Sequence, residues 1–481
     1  MAPKFGTSGL RGPVSELTPD LVAAHVTAFA RACPMGTGLF VGRDLRDSSP
    51  RIAADVIAAA RAQGLRVTDC GAIPTPALAL AALGAGNGKG AAAVMVTGSH
   101  IPADRNGLKF YTPAGEITKD QEAAITAMLG AALADPPAAA PAIPGPLIQA
   151  DPGPAFLARY RDAFGARALA GRRIGVWAHS AVGRDLLRDT LAALGAEVVE
   201  IARSATFIPV DTEALSPQAR ALLAQAAAAQ RLDAIASTDG DGDRPLLADA
   251  QGRVIAGDLL GQITARHLGA DVVVTPVSSN TGVDHLGFGR VIRTRIGSPF
   301  VIAGMAAARA ENPAARVVGY EANGGFLLGF DAALPAGPLP ALMTRDSHLP
   351  IIAALAAAGD AGEDRSLAAL VAAQPARFTA TGRLQDIPTE ASVALVAGLA
   401  ADPGGFLADL DARTGAGARA PDLLAGTDTT DGLRMRLASG RIVHLRPSGN
   451  APELRLYAEA ENQQTAQALL DSGLVLLRAR L

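Results

Sequence analysis

Leu39-Phe-Val41-Gly-Arg-Asp-Leu-Arg-Asp-Ser-Ser-Pro50 joins a short apolar run to a polar loop. An alanine-rich helix is predicted next, from Ile52 to Ala62, and Gly64 ends it before a new apolar segment, Leu65 to Val67. Strand, loop, helix, glycine and strand in this order are typical of a βαβ unit. This stretch therefore predicts an α/β domain.

The same pattern recurs twice further along the chain. The second copy comprises a strand at Ile174–Trp177, a helix at about Leu186–Leu194 and a strand at Glu197–Ile201. The third, poorer copy begins with the strand Val272–Thr275 and a loop at residues 278–282. Three copies predict three similar α/β domains, with functional loops expected at the C-terminal ends of their strands.

The last hundred residues follow a different pattern. Alternating segments at Leu433–Leu437, Arg441–Leu445 and Glu453–Ala458 predict antiparallel strands, and a helix is expected from about Asn462 to Arg480. Such a combination predicts a smaller, C-terminal α+β domain.

Two changes in composition suggest domain boundaries. Residues 134–154 are rich in proline and alanine, which disfavours helix and sheet and predicts a linker, and a weaker break lies near residues 357–377. The predicted domains are therefore residues 1–140, 150–252, 253–372 and 376–481.

Composition limits the classes of function. The 481 residues suggest three or four domains, and the net charge of −3 does not favour a nucleic-acid partner. The two cysteines have no metal-ligand spacing and indicate no disulfide framework. The N-terminus shows no signal-peptide pattern, and no apolar run is long enough to span a membrane. These features predict a cytoplasmic protein of enzyme size with no membrane partner. A monomer or a homodimer is expected.

Asp239-Gly-Asp-Gly-Asp243 is the strongest chemical motif, and Arg244 follows it. Side chains at every second position share one side of an extended segment, and the glycines let three carboxylates converge. Crowded carboxylates repel one another unless a cation holds them, and oxygen-only ligands suit Mg²⁺ or Ca²⁺. An EF-hand loop is excluded, because its required Gly and Glu positions hold Arg244 and Ala250.

Two segments near the N-terminus carry further polar side chains. The glycine-rich loop Phe5–Gly12 contains Arg11 and suits an oxyanion. Ser99 and His100 follow a buried strand, and Lys109 comes shortly after. A serine in such a position can act as a nucleophile. These residues alone favour the alternatives, in which Ser99 is a helix or turn cap and His100 is a structural hydrogen-bonding histidine. Ile101 breaks the Gly-x-Ser-x-Gly pattern, so a hydrolase triad is disfavoured.

Two later loops suit sugar and phosphate. Glu321 and Asn323 lie between glycines and offer hydrogen-bonding groups for sugar hydroxyls, although a solvated turn fits this segment equally well. Arg446 could bind a phosphate through two hydrogen bonds. Ser448, Gly449 and Asn450 are predicted to form an anion-binding loop beside it. The alternative is that Arg446 pairs with Glu453. Walker A and dinucleotide-binding patterns are absent from the sequence.

Together, these five ordered motifs resemble the α-D-phosphohexomutase family, which includes phosphomannomutases and phosphoglucomutases. The resemblance implies three related α/β domains and a smaller α+β domain around a central cleft. It also implies a phosphohexomutase, which interconverts hexose 1-phosphate and 6-phosphate through a phosphoserine and a 1,6-bisphosphate. The implied cofactors are Mg²⁺ and a hexose 1,6-bisphosphate activator.

The resemblance assigns a role to each candidate residue. It implies that Ser99 carries the phosphoryl group and that one oxygen of its phosphate joins Asp239, Asp241 and Asp243 around the metal. Arg11 and Arg244 would neighbour the transferring group, while Lys109 and His100 would assist proton transfer. Sugar hydroxyls would contact Glu321 and Asn323, and the non-reacting phosphate would contact Arg446, Ser448, Gly449 and Asn450.

Two loops depart from the common family pattern. Ile101 stands where asparagine is usual, and Gly325 stands where the sugar loop often has histidine. The sugar loop as written is most similar to phosphomannomutase-type sequences, so mannose phosphate is the first expectation. Glucose and glucosamine phosphates are the alternatives, and a non-catalytic phosphosugar-binding protein is the alternative from another class.

Overall fold

The computed structural model describes residues 3–6, 8–134, 143–360, 366–414, 422–448 and 452–481. Within these residues the chain forms four domains, each with its own main sheet. The predicted fold class, three similar α/β domains followed by a smaller α+β domain, is confirmed.

The first domain contains an eight-stranded mixed sheet of order β1-β2-β6-β5-β3-β4-β8, with β7 paired to β6. Strands β5, β3, β4 and β8 run parallel, whereas β6 is antiparallel to β5. Its elements are β1 (Lys4–Phe5), β2 (Leu10–Pro13), α1 (Pro19–Ala32), β3 (Leu39–Arg43), α2 (Ser49–Ala62), β4 (Val67–Ala72), α3 (Thr75–Gly88), β5 (Ala92–Val96), β6 (Arg105–Thr112), β7 (Gly115–Glu116), α4 (Lys119–Ala134) and β8 (Leu147–Gln149).

The expectation that residues 134–154 avoid regular structure is wrong at residues 153–154, which begin the helix Gly153–Phe164, and at residues 147–149. This segment forms β8, which pairs in parallel with β4. All three β8 residues are exposed, so the strand adds to the edge of the sheet without adding to the core. Backbone pairing, which composition does not reveal, stabilises it.

The second domain contains a four-stranded sheet of order β10-β9-β11-β12. Strands β10, β9 and β11 are parallel, and β12 is antiparallel to β11. Its elements are α5 (Gly153–Phe164), β9 (Arg173–His179), α6 (Arg184–Ala193), β10 (Glu197–Arg203), α7 (Pro217–Gln230), β11 (Ala234–Thr238) and β12 (Pro245–Asp249).

The third domain repeats this arrangement in a five-stranded sheet of order β14-β13-β15-β16-β19. Strands β14, β13 and β15 are parallel, and β16 turns back antiparallel to β15. Its elements are α8 (Gly257–His267), β13 (Val272–Pro276), a 3₁₀ helix (Thr281–His285), β14 (Arg290–Thr294), α9 (Ser298–Glu311), β15 (Val317–Tyr320), β16 (Phe326–Leu328), β17 (Ala332–Ala333), β18 (Pro338–Leu339), β19 (Leu342–Asp346), α10 (His348–Asp360) and α11 (Leu367–Ala372).

The fourth domain is an antiparallel five-stranded sheet of order β20-β24-β23-β22-β21 with helices. Its alternating burial pattern at Leu433–Leu437 matches a strand with one face on the core. Its elements are β20 (Phe378–Gln385), α12 (Thr389–Ala401), α13 (Gly404–Arg413), β21 (Leu424–Asp428), β22 (Leu433–Leu437), β23 (Ile442–Pro447), β24 (Glu453–Ala460) and α14 (Gln463–Arg478).

One hydrophobic cluster extends through the first three domains. It includes Met95 of the first domain, Phe156 and Val176 of the second, and Leu260 and Tyr320 of the third. The fourth domain has a separate cluster. Apolar burial therefore holds the first three domains together as one body, whereas the fourth packs around its own core.

Polar groups connect the fourth domain to the third. The hydroxyl and backbone amide of Thr281 donate to Glu459, and the backbone amide of Ile296 donates to Asp431 at 2.9 Å. Such an interface resembles those that permit domain motion.

No single helix in the described part of the chain is long and apolar enough to cross a membrane. The bent pair α12 and α13 meets the length and composition test only when the two helices are taken together.

Candidate active site

Three loops at equivalent places in the first three domains form the candidate site. Strands β5, β11 and β15 each have a parallel neighbour on one side and an antiparallel neighbour on the other. The loops after them carry Ser99, Asp239 and Glu321 respectively. All three strands are buried along their whole length, in keeping with their mostly apolar sequences. The fold thus brings three distant motifs to one place.

Ser99 is buried and lies directly against the aspartate motif. Its hydroxyl donates to Oδ2 of Asp239 at 2.6 Å, and it lies 3.3 Å from Nδ1 of His100. The backbone of Ser99 has φ = 54°, a left-handed conformation that few residues other than glycine adopt. Strain of this kind persists where surrounding contacts enforce it, and it is common at functional sites.

Arg46 supplies those contacts. Its guanidinium donates to the carbonyl oxygens of Ser99, Ile101, Pro102 and Arg105, at distances from 2.7 to 2.9 Å. The side chain is only 1% exposed. One buried cation therefore satisfies four loop carbonyls, which fixes the path of the chain around Ser99.

A carboxylate network holds Arg46 in turn. Asp44 accepts from Nε of Arg46 at 3.2 Å and from the hydroxyl of Thr97 at 2.7 Å. Thr97 Oγ1 also accepts from the backbone amide of Ser99 at 2.7 Å. Both ends of the Ser99 turn are thus tied to the polar loop that follows β3.

Asp239, Asp241 and Asp243 are fully buried, and one oxygen from each lies within 4.8 Å of the others. In the described residues, Oδ1 of Asp241 and Oδ1 of Asp243 are buried without a hydrogen-bond partner. Buried oxygens of this kind are costly unless a cation or donor satisfies them. The three carboxylates therefore fit a hard divalent metal ion.

Neighbouring domains hold the aspartate loop from both sides. Thr75, at the start of α3, donates through its hydroxyl to Oδ2 of Asp241 at 2.7 Å. Ser347, between β19 and α10, donates to the carbonyl of Gly242 at 2.7 Å. The loop of the second domain is thus fixed by side chains of the first and third.

Lys109 lies among the aspartates. Its Nζ is 2.5 Å from Oδ2 of Asp241 and 2.6 Å from Oδ2 of Asp243. Its side chain is only 4% exposed, so the ion pairs are shielded from water. The lysine comes from β6, where it pairs with Met95 of the strand that leads to Ser99.

Charge crowding shifts the pKa values of this site. Burial and the carboxylates of Asp241 and Asp243 raise the pKa of Asp239 well above its usual range. Burial also opposes ionisation of Asp241, yet Lys109 and Thr75 lower its pKa below the usual value. Such divergent values in one cluster are typical of functional sites.

Two arginines act electrostatically on the residues that contact Ser99. Burial and the charge of Arg244 lower the pKa of Arg11 to about 10. Burial, Arg244 and Arg11 lower the pKa of His100 to about 2, so its imidazole is neutral. The backbone amide of Arg244 donates to Oδ1 of Asp239 at 3.2 Å. The charges of two arginines therefore act on His100 and Asp239, the two hydrogen-bond partners of the Ser99 hydroxyl, which suits an anionic group there.

The loop carrying Glu321 and Asn323 is compact and buried. The amide of Glu321 donates to the carbonyl of Gly325 at 3.1 Å, and Oδ1 of Asn323 accepts from the amide of Gly325 at 2.9 Å. The Glu321 carboxylate contacts Arg345 at 3.2 Å. These contacts fix the acid and the amide at the end of β15.

Arg446 of the fourth domain pairs with Asp431, Nε to Oδ2, at 3.0 Å. Asp431 is the residue that accepts from the backbone of Ile296 in the third domain. The alternative pairing with Glu453 is wrong, because Glu453 contacts Arg383 and Arg455 instead. Ser448 is buried beside Arg446, and its amide donates to the carbonyl of Glu453. Gly449 and Asn450 lie outside the described residues.

The N-terminal loop is anchored by a buried acid. Ser8 donates to Glu116 at 2.5 Å, and Ser298, at the start of α9, donates to the same carboxylate at 2.9 Å. Glu116 thereby joins the loop that carries Arg11 to the third domain.

Comparison with known proteins agrees with this arrangement. Family models described as phosphoglucomutase/phosphomannomutase alpha/beta/alpha domains I, II and III match residues 2–133, 156–252 and 249–378. The model for the C-terminal domain matches residues 393–472. A phosphomannomutase of Sinorhizobium fredii is 45% identical over 486 residues, which cover 100% of this chain and 99% of that protein.

The chain belongs to the phosphoglucomutase/phosphomannomutase family. A phosphomannomutase of Salmonella muenchen is 41% identical, with 99% of this chain and 96% of that protein covered. The crystal structure of a family protein from Burkholderia thailandensis superposes with a TM-score of 0.73 at 21% identity, and covers 98% of this chain and 97% of that one. The predicted phosphohexomutase is thus confirmed at the level of the family.

Several residues that shape this family member's site were missing from the sequence prediction. They are Arg46, Thr75, Glu116, Arg345 and Ser347. Two of them carried a usable signal, because Arg46 lies in the polar loop after β3 and Arg345 is a cation just after the apolar pair Leu342-Met343. Their partners lie in distant segments, so sequence spacing could not identify them.

Proposed function

We propose that the protein is a Mg²⁺-dependent phosphohexomutase that interconverts mannose 1-phosphate and mannose 6-phosphate. The single observation that carries the chemistry is the 2.6 Å contact between the Ser99 hydroxyl and Asp239, next to two further buried carboxylates. The names of the two full-length relatives support mannose as the sugar. Glucose and glucosamine phosphates remain the alternatives.

Ser99 would rest as phosphoserine. In the first half-reaction, the bond between phosphorus and Ser99 Oγ breaks while a bond forms between phosphorus and the free hydroxyl oxygen of the hexose monophosphate. The product is a hexose 1,6-bisphosphate, which turns over within the cleft. Ser99 Oγ then attacks the other phosphate and releases the isomeric monophosphate. A free 1,6-bisphosphate would act as activator by restoring phosphoserine.

Charge neutralisation supplies most of the catalysis in phosphoryl transfer. Arg11 and Arg244 would neutralise the migrating group, and Asp239, Asp241 and Asp243 would hold the metal. When bound, Mg²⁺ would offset negative charge on the phosphoryl oxygens. Ser99 receives its loop geometry from Arg46, so attack requires little rearrangement of the backbone.

One proton must move in each half-reaction. The attacking hydroxyl loses a proton, and the oxygen that loses the phosphoryl group gains a proton. His100 lies 3.3 Å from Ser99 Oγ and would assist this transfer as a neutral hydrogen-bonding partner, because a pKa of about 2 opposes protonation of its imidazole. Lys109 would assist proton transfer on the side of the site where the aspartates lie.

The two ends of the substrate would meet different domains. Glu321 and Asn323 would bind sugar hydroxyls, while Arg446, Ser448, Gly449 and Asn450 would hold the non-reacting phosphate. The separate core of the fourth domain and its polar contacts with the third support a closing motion over the cleft. Closure would keep water from the phosphoserine.

The test incubates purified protein with mannose 1-phosphate, Mg²⁺ and a trace of hexose bisphosphate, with parallel reactions on glucose and glucosamine 1-phosphates. We expect conversion to the 6-phosphate, fastest with mannose. No 6-phosphate from any of the three sugars would exclude the mutase. The ranking of kcat/KM among the sugars decides the substrate.

Intact-mass measurement tests the alternative of a non-catalytic phosphosugar-binding protein. A phosphate adduct on Ser99 that exchanges with added hexose phosphate supports the enzyme, whereas tight binding without exchange supports a sensor. The presence of both the nucleophile and the carboxylate cluster favours the enzyme. Cytoplasmic location, the absence of nucleic-acid and membrane partners, and a monomeric or homodimeric state stay predictions of the sequence.

A further inference from the structure

Arg345, near the end of β19, contacts two of the functional loops at once. Its Nη2 lies 2.8 Å from Oδ2 of Asp243, and its Nη1 lies 3.2 Å from Oε2 of Glu321. The residue is only 4% exposed. One guanidinium group therefore connects the aspartate loop of the second domain to the sugar loop of the third.

Gly325 provides the space for this side chain. A Cβ atom at residue 325 would lie 2.8 Å from Cδ and 2.9 Å from Cγ of Arg345. The backbone of Gly325 is not in the left-handed region, so its conformation alone does not require glycine. The two closest contacts of that Cβ are thus with Arg345, and Oδ1 of Asn323 follows at 3.1 Å.

We propose that Arg345 is a positioning residue of the mutase, which orients Glu321 relative to Asp243, and that Gly325 is its steric partner. The inference rests on the proposed function, because Glu321 and Asp243 are taken as sugar-binding and metal-binding groups. It adds a residue that joins these two groups and predicts that sugar contact and metal binding are coupled in this chain.

The shape of the guanidinium is essential to this role. Its nitrogens form a rigid planar fork, so two carboxylates are held by different nitrogens of the same group. A lysine ammonium is a compact point charge and cannot reproduce both contacts in the same geometry. In a buried site such contacts are not exchanged for water, so a shift of Arg345 moves the Glu321 carboxylate.

The first experiment compares Arg345→Lys with the native enzyme. We expect KM for the hexose phosphate and the Mg²⁺ concentration for half-maximal rate each to rise about tenfold or more, in line with the loss of a charged hydrogen bond. Arg316→Lys is the matched control, because Arg316 pairs with Asp271 at an exposed position of the same domain. Unchanged KM and Mg²⁺ dependence in Arg345→Lys would overturn the proposal.

The second experiment tests the steric pairing. Gly325→Ala should raise KM in the native background, yet add less than about twofold to Arg345→Ala, whose shortened side chain removes the clash. Gly398→Ala is the control, since no atom lies within 4 Å of its added Cβ. Equal effects of Gly325→Ala in both backgrounds would contradict the pairing.

Direct binding measurements distinguish the proposed mutase function from the proposed role of Arg345. Calorimetric titration of Mg²⁺ and of mannose 6-phosphate into native protein and Arg345→Lys needs no turnover. A native protein without mutase activity would exclude the proposed function, while weaker binding of both ligands to Arg345→Lys would still support the link between the loops. Circular dichroism melting shows which variants are folded. If Arg345→Ala does not fold, the single variants Arg345→Lys and Gly325→Ala decide whether Arg345 positions Glu321.

Discussion

The Ser99 hydroxyl donates a 2.6 Å hydrogen bond to Oδ2 of Asp239, a residue of the neighbouring domain. The proposed nucleophile and the proposed metal ligand thus touch across a domain boundary. A hydrophobic core shared by the first three domains supports this contact. Because the core is continuous, the geometry between the two loops does not depend on movement of the fourth domain.

Replacement of Ser99 is the most direct test of the nucleophile. Ser99→Ala should lower the mutase rate by several orders of magnitude, because no phosphoenzyme can form. Intact-mass measurement should show no phosphate adduct on the variant. Ser216→Ala, which removes an exposed helix cap, should retain both adduct and rate. A near-native rate in Ser99→Ala would show that Ser99 is not the nucleophile.

Asp241 offers a test of the metal site. Asp241→Asn keeps the size of the side chain but removes one of three converging negative charges, so Mg²⁺ affinity should fall at least about tenfold. Calorimetric titration of Mg²⁺ measures this loss without an activity assay. Asp271→Asn, an exposed change outside the site, is the control. An unchanged Mg²⁺ isotherm would contradict metal binding by Asp241.

The outline of the fold could be predicted from sequence because many of its strands are short apolar runs and glycine follows helices such as α2 and α6. The strand predicted at Ile174–Trp177 is observed as Arg173–His179, and the strand predicted at Leu433–Leu437 has those bounds. The edge strand Leu147–Gln149 escaped prediction because it is exposed and depends on pairing with β4. Local composition therefore predicts buried strands better than it predicts exposed edge strands.

The candidate site was predictable only in part, for a physical reason. Ser99, Asp239 and Glu321 are recognisable because each lies in a glycine-flanked polar loop after a buried strand. Arg46 and Arg345 act through residues that are distant in sequence, and no local pattern specifies such partners. Tertiary packing therefore decides which cations reach the site.

Arg46 is expected to control the geometry of the Ser99 loop. Arg46→Lys leaves most of the four loop carbonyls without a donor, since one ammonium cannot reach them all. The free energy of unfolding should fall by about 2–4 kcal/mol, and kcat should fall roughly a hundredfold through misplacement of the nucleophile. Denaturant unfolding and steady-state kinetics measure the two effects.

Two further variants separate positioning from charge. Gly98→Ala keeps Arg46 but places a Cβ 2.6 Å from its Cζ, so it should reproduce the loss of kcat. Arg51→Lys alters a neighbouring exposed arginine and should change neither stability nor rate appreciably. Native kcat in both Arg46→Lys and Gly98→Ala would show that the Ser99 loop holds its geometry without Arg46.

A buried histidine makes stability depend on pH. His348 is completely buried against Phe156 and Tyr160, and burial lowers its pKa to about 3 from the usual 6.5. The folded state therefore keeps the imidazole neutral, while the unfolded chain binds a proton below pH 6.5. This contribution to stability is complete above pH 6.5 and is lost as pH falls towards 3.

His348→Phe should therefore flatten the acid side of the stability profile. At pH 5 the native protein should have lost about 2 kcal/mol through this histidine, and the variant should be spared that loss. Urea midpoints measured from pH 7 down to pH 5 test the difference in slope. His285→Asn is the control, since that histidine is exposed in the same domain. Burial also lowers the pKa values of His179 and His444 to about 4, so stability of the variant should still fall somewhat with pH. If stability falls with pH as steeply in the variant as in the native protein, His348 is protonated inside the fold.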